Sequence, residues 1–402
     1  MKKNYSLYGL PNKVQFCATC SISNQRPRSV VEFKNQDGQK KGIQFDEDGI
    51  CEACNYNKIK EKIDWKEREK KLLQLLDKYR KKNSYDCIVP GSGGKDSAYA
   101  SHLLKNKYGM NPLTVTWAPH LYTSIGWENF TNWIHEGGFD NILFTPNGKV
   151  HRILTKLAFE NLLHPFQPFI IGQKIIGPLI ALKFNIPLIF YGENQAEYGN
   201  ALSENEIPEM SYDFFSNEKS EDIILSGVPI KNILKNYNLK INDFNPYIPP
   251  NKQELKKSNI QQRYLGYYIK WDPQECFYYS SKNTGFKPNT ERTEGSYSKY
   301  SSIDDKIDPF HYYCTYIKFG IGRATYDSSQ EIRNKKIERS EAIELIKKYD
   351  SEFPKKYFLE FLNYISLNEK SFWKTIDNFR SPHLWEQYKN KQWKLKKTIY
   401  SQ

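Results

Sequence analysis

Short apolar runs alternate with longer amphipathic segments through the first half of the chain. Four runs are rich in β-branched and aromatic residues and predict buried strands, at residues 85–90, 112–117, 141–144 and 188–191. Four segments with helical spacing of apolar residues predict helices, at residues 95–107, 125–136, 149–163 and 170–184. Strands that alternate with helices pair in parallel through right-handed crossovers. The pattern therefore predicts an α/β fold with a doubly wound parallel sheet.

The most apolar stretch, residues 168–192, is long enough to raise the question of a membrane span. Lys174, Lys183, Pro178 and Pro187 interrupt it, and a membrane helix needs about 20 predominantly apolar residues. We interpret it as a buried helix followed by a buried strand. The first residues also lack the apolar core of a signal peptide. The sequence thus favours a cytoplasmic protein without a membrane span.

A glycine-rich turn follows the first predicted strand. Residues 91–97 read GSGGKDS and open the first predicted helix. The glycines let backbone N–H groups approach a phosphate, and the helix N-terminus adds partial positive charge. Ser92, Ser97 and Lys95 supply further donors, whereas Asp96 suits a magnesium ligand or a group that orients the loop. The spacing differs from the Walker A pattern, in which the Lys follows a longer loop.

Ligands of doubly wound sheets bind at the carboxyl ends of the strands. That rule brings the loop, Trp117 and residues 192–194 around one crevice. Glu193 is then placed for magnesium or substrate chemistry, although a carboxylate that only caps the strand end is the competing interpretation. We take Lys95, Asp96 and Glu193 as candidate catalytic residues.

Four of the seven cysteines form two C-x2-C pairs, Cys17 with Cys20 and Cys51 with Cys54. Two such pairs complete a tetrahedral thiolate shell, which is the usual structural zinc arrangement. The segment between them predicts two short strands around Asp37-Gly38, as in a zinc ribbon. An iron–sulfur cluster is the other option. With no open coordination position, the zinc would be structural.

Composition adds little that is specific. The chain has 402 residues, a length that fits about two to three domains. Its formal net charge is +13. Its lysines are interspersed with acidic residues, so the net charge alone does not indicate nucleic-acid binding. The remaining cysteines, Cys87, Cys276 and Cys314, stand alone.

The motif SGGKDS matches the PP-loop signature of the ATP pyrophosphatases, whose fold is adenine nucleotide alpha hydrolase-like. Three further features extend the match: the cysteine pairs upstream, YGENQAEYG after the fourth strand, and C-terminal segments such as ERTEGSYSKYSSIDDKID and KFGIGRATYDSSQEIR. In combination, over roughly residues 10 to 350, the chain resembles the N-acetyl sugar amidotransferase family, which includes the WbpG and PseA proteins of O-antigen and flagellar-glycan synthesis.

The resemblance implies a reaction and its cofactors. The N-acetyl group of a nucleotide sugar would be adenylated by ATP with Mg²⁺ and then converted by ammonia to an acetamidino group. Ser92, Gly93, Gly94, Lys95, Asp96, Ser97 and Trp117 would bind ATP. Lys318 and Arg323, with Arg292, would bind pyrophosphate or the diphosphate of the nucleotide sugar. Simple surface ion pairs are the alternative for these three residues.

Family members take ammonia from a separate glutaminase similar to that of histidine biosynthesis. None of the isolated cysteines lies on the glycine-flanked turn that a glutaminase nucleophile needs. We therefore expect a glutaminase partner.

Three regions are predicted: a zinc ribbon at residues 1–62, a PP-loop domain at residues 63–245, and a mostly helical substrate- or partner-binding region at residues 246–402. The competing function is that of a PP-loop tRNA thiolation enzyme, which would also combine zinc with this loop. Such thiolases usually carry catalytic cysteines in the PP-loop domain, often as C-x-x-C, and here only isolated cysteines follow Cys54.

Overall fold

The computed structural model of the chain describes residues 5–193, 197, 206–219, 222–389 and 392–401. The strands are β1 Cys87–Pro90, β2 Pro112–Trp117, β3 Asn141–Phe144, β4 Leu188–Tyr191, β5 Ile224–Leu225, β6 Val228–Pro229, β7 Gln261–Tyr264, β8 Trp385–Gln387 and β9 Trp393–Leu395. The helices are α1 Glu52–Lys60, α2 Trp65–Tyr79, α3 Lys95–Asn106, α4 Ser124–His135, α5 Gly148–Leu162, α6 Gln167–Phe184, α7 Ile230–Tyr237, α8 Lys252–Lys257, α9 Pro273–Asn283, α10 Asp308–Phe319, α11 Arg323–Arg333, α12 Arg339–Tyr349, α13 Phe358–Tyr364 and α14 Glu369–Asn378.

Five strands form one parallel sheet in the order β3-β2-β1-β4-β7. Ile88 of β1 pairs with Leu113 of β2 on one side and with Ile189 of β4 on the other. The strand order reverses between β1 and β4, because β2 and β3 extend the sheet in one direction and β4 and β7 in the other. The doubly wound fold is confirmed, and three of the four predicted strands have the predicted bounds.

Helices cover both faces of the sheet, as the alternation of side chains along β1 requires. Ile88 belongs to the core that contains Ile175 of α6, whereas Cys87 and Val89 belong to the core that contains Leu104 of α3. The layers are therefore helix, sheet and helix.

Helix α6 occupies the apolar stretch that was weighed as a membrane span. It is buried against the sheet through residues such as Ile171, Ile175 and Ala181. The prediction of a buried helix followed by a strand is confirmed. Across the described part of the chain, no helix is both long and apolar enough to cross a bilayer.

The sheet continues beyond residue 245, where we expected the PP-loop domain to end. Strand β7 pairs in parallel with β4, with Tyr264 opposite Tyr191. Helix α9, further along the chain, packs against α3. The region from 246 onward thus contributes an edge strand and a covering helix to the α/β core before its helices α10 to α14 begin.

The hairpin predicted around Asp37-Gly38 is not formed. Residues Glu32–Lys34 instead form a 3-10 turn, and one isolated bridge joins Pro27 to Gly42. Glu32 and Phe33 point inward, and the Glu32 carbonyl accepts a 3.0 Å hydrogen bond from Gln167 Nε2. Backbone hydrogen bonds from Arg28 to Lys41 and from Ile43 to Arg26 flank that bridge, so the segment pairs with itself only at its base and otherwise packs on the rest of the molecule.

The N-terminal residues are bound to the end of the chain. Tyr8 Oη donates to the carbonyl of Phe379 at 2.5 Å, and the Leu7 amide donates to Ser381 Oγ at 3.0 Å. His383 Nε2 lies 2.8 Å from Gln25 Oε1. These contacts join residues more than 300 positions apart.

Candidate active site

The glycine-rich turn between β1 and α3 lies at the point where the strand order reverses. Gly93 has a φ of +83°, which glycine adopts readily. Gly94 caps α3, and Ser97 Oγ donates to the Gly94 carbonyl at 3.1 Å. The turn therefore presents the N-terminus of a twelve-residue helix to the carboxyl edge of the sheet, which suits an anionic ligand.

Close approach of other backbone makes Gly93 difficult to replace. A Cβ atom there would lie 2.7 Å from Phe130 Cα and 3.0 Å from the Asn129 carbonyl oxygen. We expect Gly93→Ala to destabilise the fold by about 1–3 kcal/mol and to weaken nucleotide binding. Urea denaturation and calorimetric titration with ATP measure the two effects. Gly148→Ala is the control, because a Cβ at Gly148 meets nothing within 4 Å.

Lys95 and Asp96 are the first residues of α3. Lys95 Nζ lies 2.5 Å from Asp96 Oδ2. Burial alone would lower the pKa of Lys95, but the carboxylates of Asp96 and Glu193 outweigh it and raise that pKa. The lysine is therefore cationic at neutral pH, close to two carboxylates.

A cavity of about 280 Å³ opens directly on this loop. The residues that line it are Pro90, Gly91, Ser92, Gly94, Asp96, Ser97, Val115, Trp117, Gln173, Ile176, Tyr191, Gly192 and Glu193. One side is the polar loop and the other is apolar and aromatic. That division suits a ligand with a phosphate end and a flat ring.

Trp117 forms part of the aromatic wall. Its ring stacks on Phe144 at 5.2 Å between centroids and lies against α6 at Gly172, where a Cβ would fall 2.2 Å from the indole. Trp117 Nε1 is buried and has no hydrogen-bond partner among the described residues.

A second cavity of about 460 Å³ adjoins the first. Asp96 and Glu193 line both cavities, and Lys95 lines the second. The cysteine-bearing N-terminal unit (residues 5–62) contributes Arg26 to its other polar walls. The C-terminal region contributes Asp272, Gln274, Ser298, Tyr300, Ser301, His311, Tyr312, Thr315, Arg323, Asp327, Ser329, Gln330, Glu331, Arg333, Asn334 and Lys336. Three regions of the sequence thus meet around one space.

Helix α11 contributes a polar face to this second cavity. Arg323 Nε lies 2.9 Å from Asp327 Oδ1, and the Arg323 guanidinium lies over the Tyr312 ring at 4.3 Å. Arg323 is the one residue of this helix that the sequence analysis assigns to the site. The i, i+4, i+7 spacing of Arg323, Asp327 and Gln330 places them on one helical face, a signal that the sequence contained.

The acidic pair before α10 separates into two roles. Asp305 holds the loop: it accepts from the His120 amide at 2.7 Å, lies 2.8 Å from His120 Nδ1, and accepts from the Ile307 amide at 2.9 Å. Asp304 faces the PP-loop instead. Burial raises the pKa of Asp304, and the hydroxyl of Ser92 partly offsets that rise.

The four cysteines of the two C-x2-C pairs converge. Their Sγ atoms all lie within 4.8 Å of one another and are buried. Cys17 Sγ is 3.9 Å from Cys54 Sγ, and Cys20 Sγ is 3.8 Å from Cys51 Sγ. Zinc–sulfur bonds of about 2.3 Å in a tetrahedron separate the sulfurs by about 3.8 Å. The predicted four-cysteine cluster is confirmed, and its geometry fits a single tetrahedral ion.

Helix α1 links this cluster to the strand end that carries Glu193. Cys51 caps the helix and Lys60 ends it. Lys60 Nζ lies 2.7 Å from Glu197 Oε1 and donates to the Trp271 carbonyl at 2.6 Å. The side chains of Lys60 and Glu197 are 2% and 5% exposed. The sequence does not predict this buried ion pair, because nothing local distinguishes Lys60 from the many lysines around it.

Lys318 is not part of the site. It lies in the interior, where its Nζ donates to the Leu162 carbonyl at 2.7 Å. Arg292 is also elsewhere: it forms two 2.6 Å bonds with Glu352 in a separate groove. Of the three cationic residues proposed for phosphate binding, only Arg323 reaches the cavities. Residues 194–196 and 198–199 of YGENQAEYG lie outside the described part of the chain.

The interior position of Lys318 makes stability depend on pH. Burial, together with the nearby charge of Lys40, lowers the pKa of Lys318 from 10.5 to about 7. The unfolded chain then binds more protons than the folded protein between about pH 7 and 10.5, so this group makes stability rise with pH over that window. Relative to Lys318→Met, the wild type should gain stability from pH 7 to 10 in chemical denaturation. Exposed Lys183→Met is the control and should show no such slope.

The C-terminal part of the chain matches a known family. Residues 294–400 match the model of "LPS biosynthesis protein WbpG-like, C-terminal domain". An uncharacterized protein of Methanocaldococcus jannaschii is 36% identical over 77 residues, which is 19% of this chain and 27% of that protein. The match thus spans about a quarter of that relative's length.

Three solved structures are similar to this chain at a low level. An NH3-dependent NAD synthetase from Campylobacter jejuni has 16% identity and a TM-score of 0.26 over 45% of this chain and 76% of its own. An NMN synthetase from Francisella tularensis has 13% identity and a TM-score of 0.31 over 72% and 93%. A U34-tRNA thiolase from Methanococcus maripaludis with its 4Fe–4S cluster has 13% identity and a TM-score of 0.31. The match covers 80% of this chain and 86% of the thiolase. Similarities at this level decide nothing about activity.

The sheet order and the loop after β1 define a PP-loop fold, and residues 294–400 resemble the WbpG-like C-terminal domain.

Proposed function

We propose that this chain, with its WbpG-like domain at residues 294–400, is an ATP-dependent amidotransferase acting on a nucleotide-activated sugar in lipopolysaccharide or related glycan synthesis. It would convert an N-acetyl group of the sugar to an acetamidino group. The observation that carries the proposal is the meeting of two cavities at Asp96 and Glu193. One cavity combines the α3 N-terminus with an aromatic wall, which suits a nucleotide, and the other is large enough for a second substrate beside it.

The PP-loop would hold ATP. Ser92, Gly94 and Ser97 line the polar side of the first cavity, and the α3 N-terminus and Lys95 would balance the phosphate charge. The aromatic side, with Trp117, would take the adenine. Asp96 and Glu193 are the carboxylates available for Mg²⁺, which would neutralise charge on the leaving pyrophosphate.

The second substrate would react where the cavities meet. The amide oxygen attacks the α-phosphorus of ATP, the bond to the β-phosphate oxygen breaks, and pyrophosphate leaves. Ammonia then adds to the activated carbon and loses a proton, and AMP departs with the former amide oxygen. Adenylation is needed because an amide oxygen is otherwise a very poor leaving group. The side chains of this chain mainly position the reactants and stabilise charge.

Ammonia would come from a separate glutaminase in the cytoplasm. The three isolated cysteines, Cys87, Cys276 and Cys314, are at most 1% exposed. Burial raises the pKa of Cys87 and of Cys276 well above the usual value. Thiols of this kind are poor nucleophiles, so the purified chain alone should not hydrolyse glutamine.

We infer that the four-cysteine cluster holds structural zinc. Cys17 Sγ also accepts N–H hydrogen bonds from Thr19 at 3.4 Å and Cys51 at 3.3 Å, which suits a thiolate. A cubane cluster gives each cysteine its own iron and spaces the sulfurs more widely than around one ion. Elemental analysis should find one zinc per chain, and the protein should be colourless. Stoichiometric iron with visible absorbance would contradict the assignment.

The reaction is tested by incubating the protein with MgATP, ammonium and a panel of UDP- and CMP-linked N-acetyl sugars. Mass spectrometry should show a product lighter by about 1 Da, because oxygen is replaced by NH. AMP and pyrophosphate should form in step with it. Formation of ADP instead would contradict a PP-loop mechanism.

A tRNA thiolation enzyme is the second candidate. It would need a cysteine near the loop to carry sulfur or a cluster. Cys276 is the cysteine whose charge would influence Lys95, yet it is buried in the core with Leu265 and Trp271. Its burial favours the sugar amidotransferase. Sulfur transfer to tRNA by the purified protein would reverse that preference.

A further inference from the structure

The second cavity contains buried hydrogen-bond donors that the protein leaves without partners. Arg333 is 9% exposed, and its Nε finds no acceptor among the described residues. The same is true of Gln330 Nε2. Both residues line the cavity. Burying an unpaired donor is costly, so two of them beside one space indicate a ligand that supplies acceptor atoms there.

Cations concentrate at the same wall. Arg333 donates its other bond to the Glu197 backbone carbonyl at 2.8 Å, so a neutral group receives that bond. Arg26 lies beside the Tyr326 ring at 5.3 Å. Arg323 is balanced by Asp327 at 2.9 Å, and Lys336 lies 3.4 Å from Asp272. Arg26 and Arg333 add two further guanidinium groups to this wall, and the cysteine thiolates and Glu197 lie near enough to Arg333 to raise its pKa.

Burial strengthens the attraction of this wall for an anion. Low exposure lowers the pKa of Arg26, because desolvation penalises its charged form. An anion beside the guanidinium would favour its charged form, and guanidinium groups bind phosphate oxygens through two parallel bonds. Arg26 comes from the cysteine-bearing N-terminal unit, whereas Gln330 and Arg333 come from α11. The wall therefore exists only when both parts of the chain are folded together.

We propose that Arg26, Gln330 and Arg333 form an anion subsite that binds the phosphate groups of the second substrate. The assignment to that substrate rests on the proposed function. The PP-loop cavity has its own donors at the α3 N-terminus, so the phosphates of ATP are accounted for there. The subsite would hold the nucleotide end of the sugar donor in the cavity whose other end reaches Asp96 and Glu193.

Equilibrium binding tests this subsite without turnover. The full chain is saturated with α,β-methylene-ATP, which resists cleavage at the α-phosphorus, and then titrated calorimetrically with UDP and with CMP. We expect one of these nucleotides to bind. Arg26→Met, Gln330→Leu and Arg333→Met should each weaken that binding, by about tenfold for either arginine. The affinity for α,β-methylene-ATP should stay unchanged.

Arg152→Met is the matched control, because Arg152 is exposed and lies beside the Tyr364 ring at 5.2 Å. It should bind both ligands as the wild type does. If the buried Arg333→Met variant fails to fold, Gln330→Leu and Arg26→Met carry the test.

Three outcomes would overturn the subsite: no binding of UDP or CMP to the saturated wild type, unchanged affinity in all three variants, or a parallel loss of α,β-methylene-ATP affinity, which would assign the arginines to ATP. Nucleotide binding that weakens as expected, without amidination of any sugar tested, would keep the subsite and reject the proposed reaction.

Discussion

Replacing Asp96 with asparagine is expected to lower the rate of pyrophosphate release from ATP by about a hundredfold or more. Asp96 lines both cavities, and its carboxylate lies 2.5 Å from Lys95 Nζ. Asparagine has the same shape but lacks the charge that would bind Mg²⁺ and orient the lysine. The loss should appear in kcat, because the geometry of the loop is retained. Coupled pyrophosphate assays at saturating MgATP measure it.

The control for this variant is Asp77→Asn. Asp77 is 70% exposed and pairs with Arg80 on the surface at the end of α2. The Asp77→Asn enzyme should therefore release pyrophosphate at the wild-type rate. Asp96→Asn should lower the unfolding midpoint only slightly, because the carboxylate of Glu193 still favours the charged form of Lys95, so the assay temperature is set where both proteins are folded. An Asp96→Asn enzyme with near-normal turnover would remove this residue from the catalytic set.

Replacing Lys60 with methionine is expected to cost about 3–5 kcal/mol of unfolding free energy. The change leaves the Glu197 carboxylate buried without its cation and removes the bond to the Trp271 carbonyl. An uncompensated buried charge is far more costly than the loss of the pair as a whole. Urea denaturation followed by tryptophan fluorescence measures the effect.

The double variant Lys60→Met with Glu197→Gln separates charge from packing. It should be more stable than Lys60→Met alone, because no charge is left buried. Lys335→Met is a neighbouring control: its ion pair with Glu61 is solvent-exposed, and such pairs contribute about 0–1 kcal/mol. Equal losses for Lys60→Met and Lys335→Met would show that the buried pair is unimportant.

Lys60→Met should also reduce the rate of pyrophosphate release. Trp271 packs against Gly192, where a Cβ atom would fall 2.7 Å from the indole ring. Gly192 precedes Glu193 at the end of β4. A shift of the Trp271 backbone would therefore be transmitted to the candidate catalytic carboxylate. We expect kcat for pyrophosphate release to fall in Lys60→Met under conditions where the protein remains folded.

Local patterns were sufficient to predict the central sheet. Buried parallel strands are continuous apolar runs, so β2 and β4 are visible in the sequence with their observed bounds. The bounds of β3 were also predicted, but this edge strand is only half-buried and its Leu143 is exposed, contrary to the prediction of a buried strand. The strand β7 was missed because QQRY carries polar residues, which an edge position tolerates. The cysteine cluster was visible because metal ligation fixes the residue type and spacing.

Long-range contacts account for what the sequence did not reveal. The hairpin failed because Glu32 and Phe33 find partners in a distant part of the chain. Lys318 looked like a phosphate ligand, but its helix faces Leu162. Arg26 and Gln330 looked like ordinary polar residues until folding placed them beside the same cavity. The residue type determines what a side chain can bind, but the packing of distant segments determines which side chains line the same cavity.

The contacts between residues 7–25 and residues 379–383 can form only late in the synthesis of the chain. Tyr8, Leu7 and Gln25 bond to Phe379, Ser381 and His383. A ribosome delivers the N-terminal partners first and the C-terminal ones last, at about 5–20 residues per second. The cysteine-bearing unit therefore waits, incomplete, for roughly 20 to 75 seconds at that pace. Zinc that binds during this interval would protect the thiols before their final neighbours arrive.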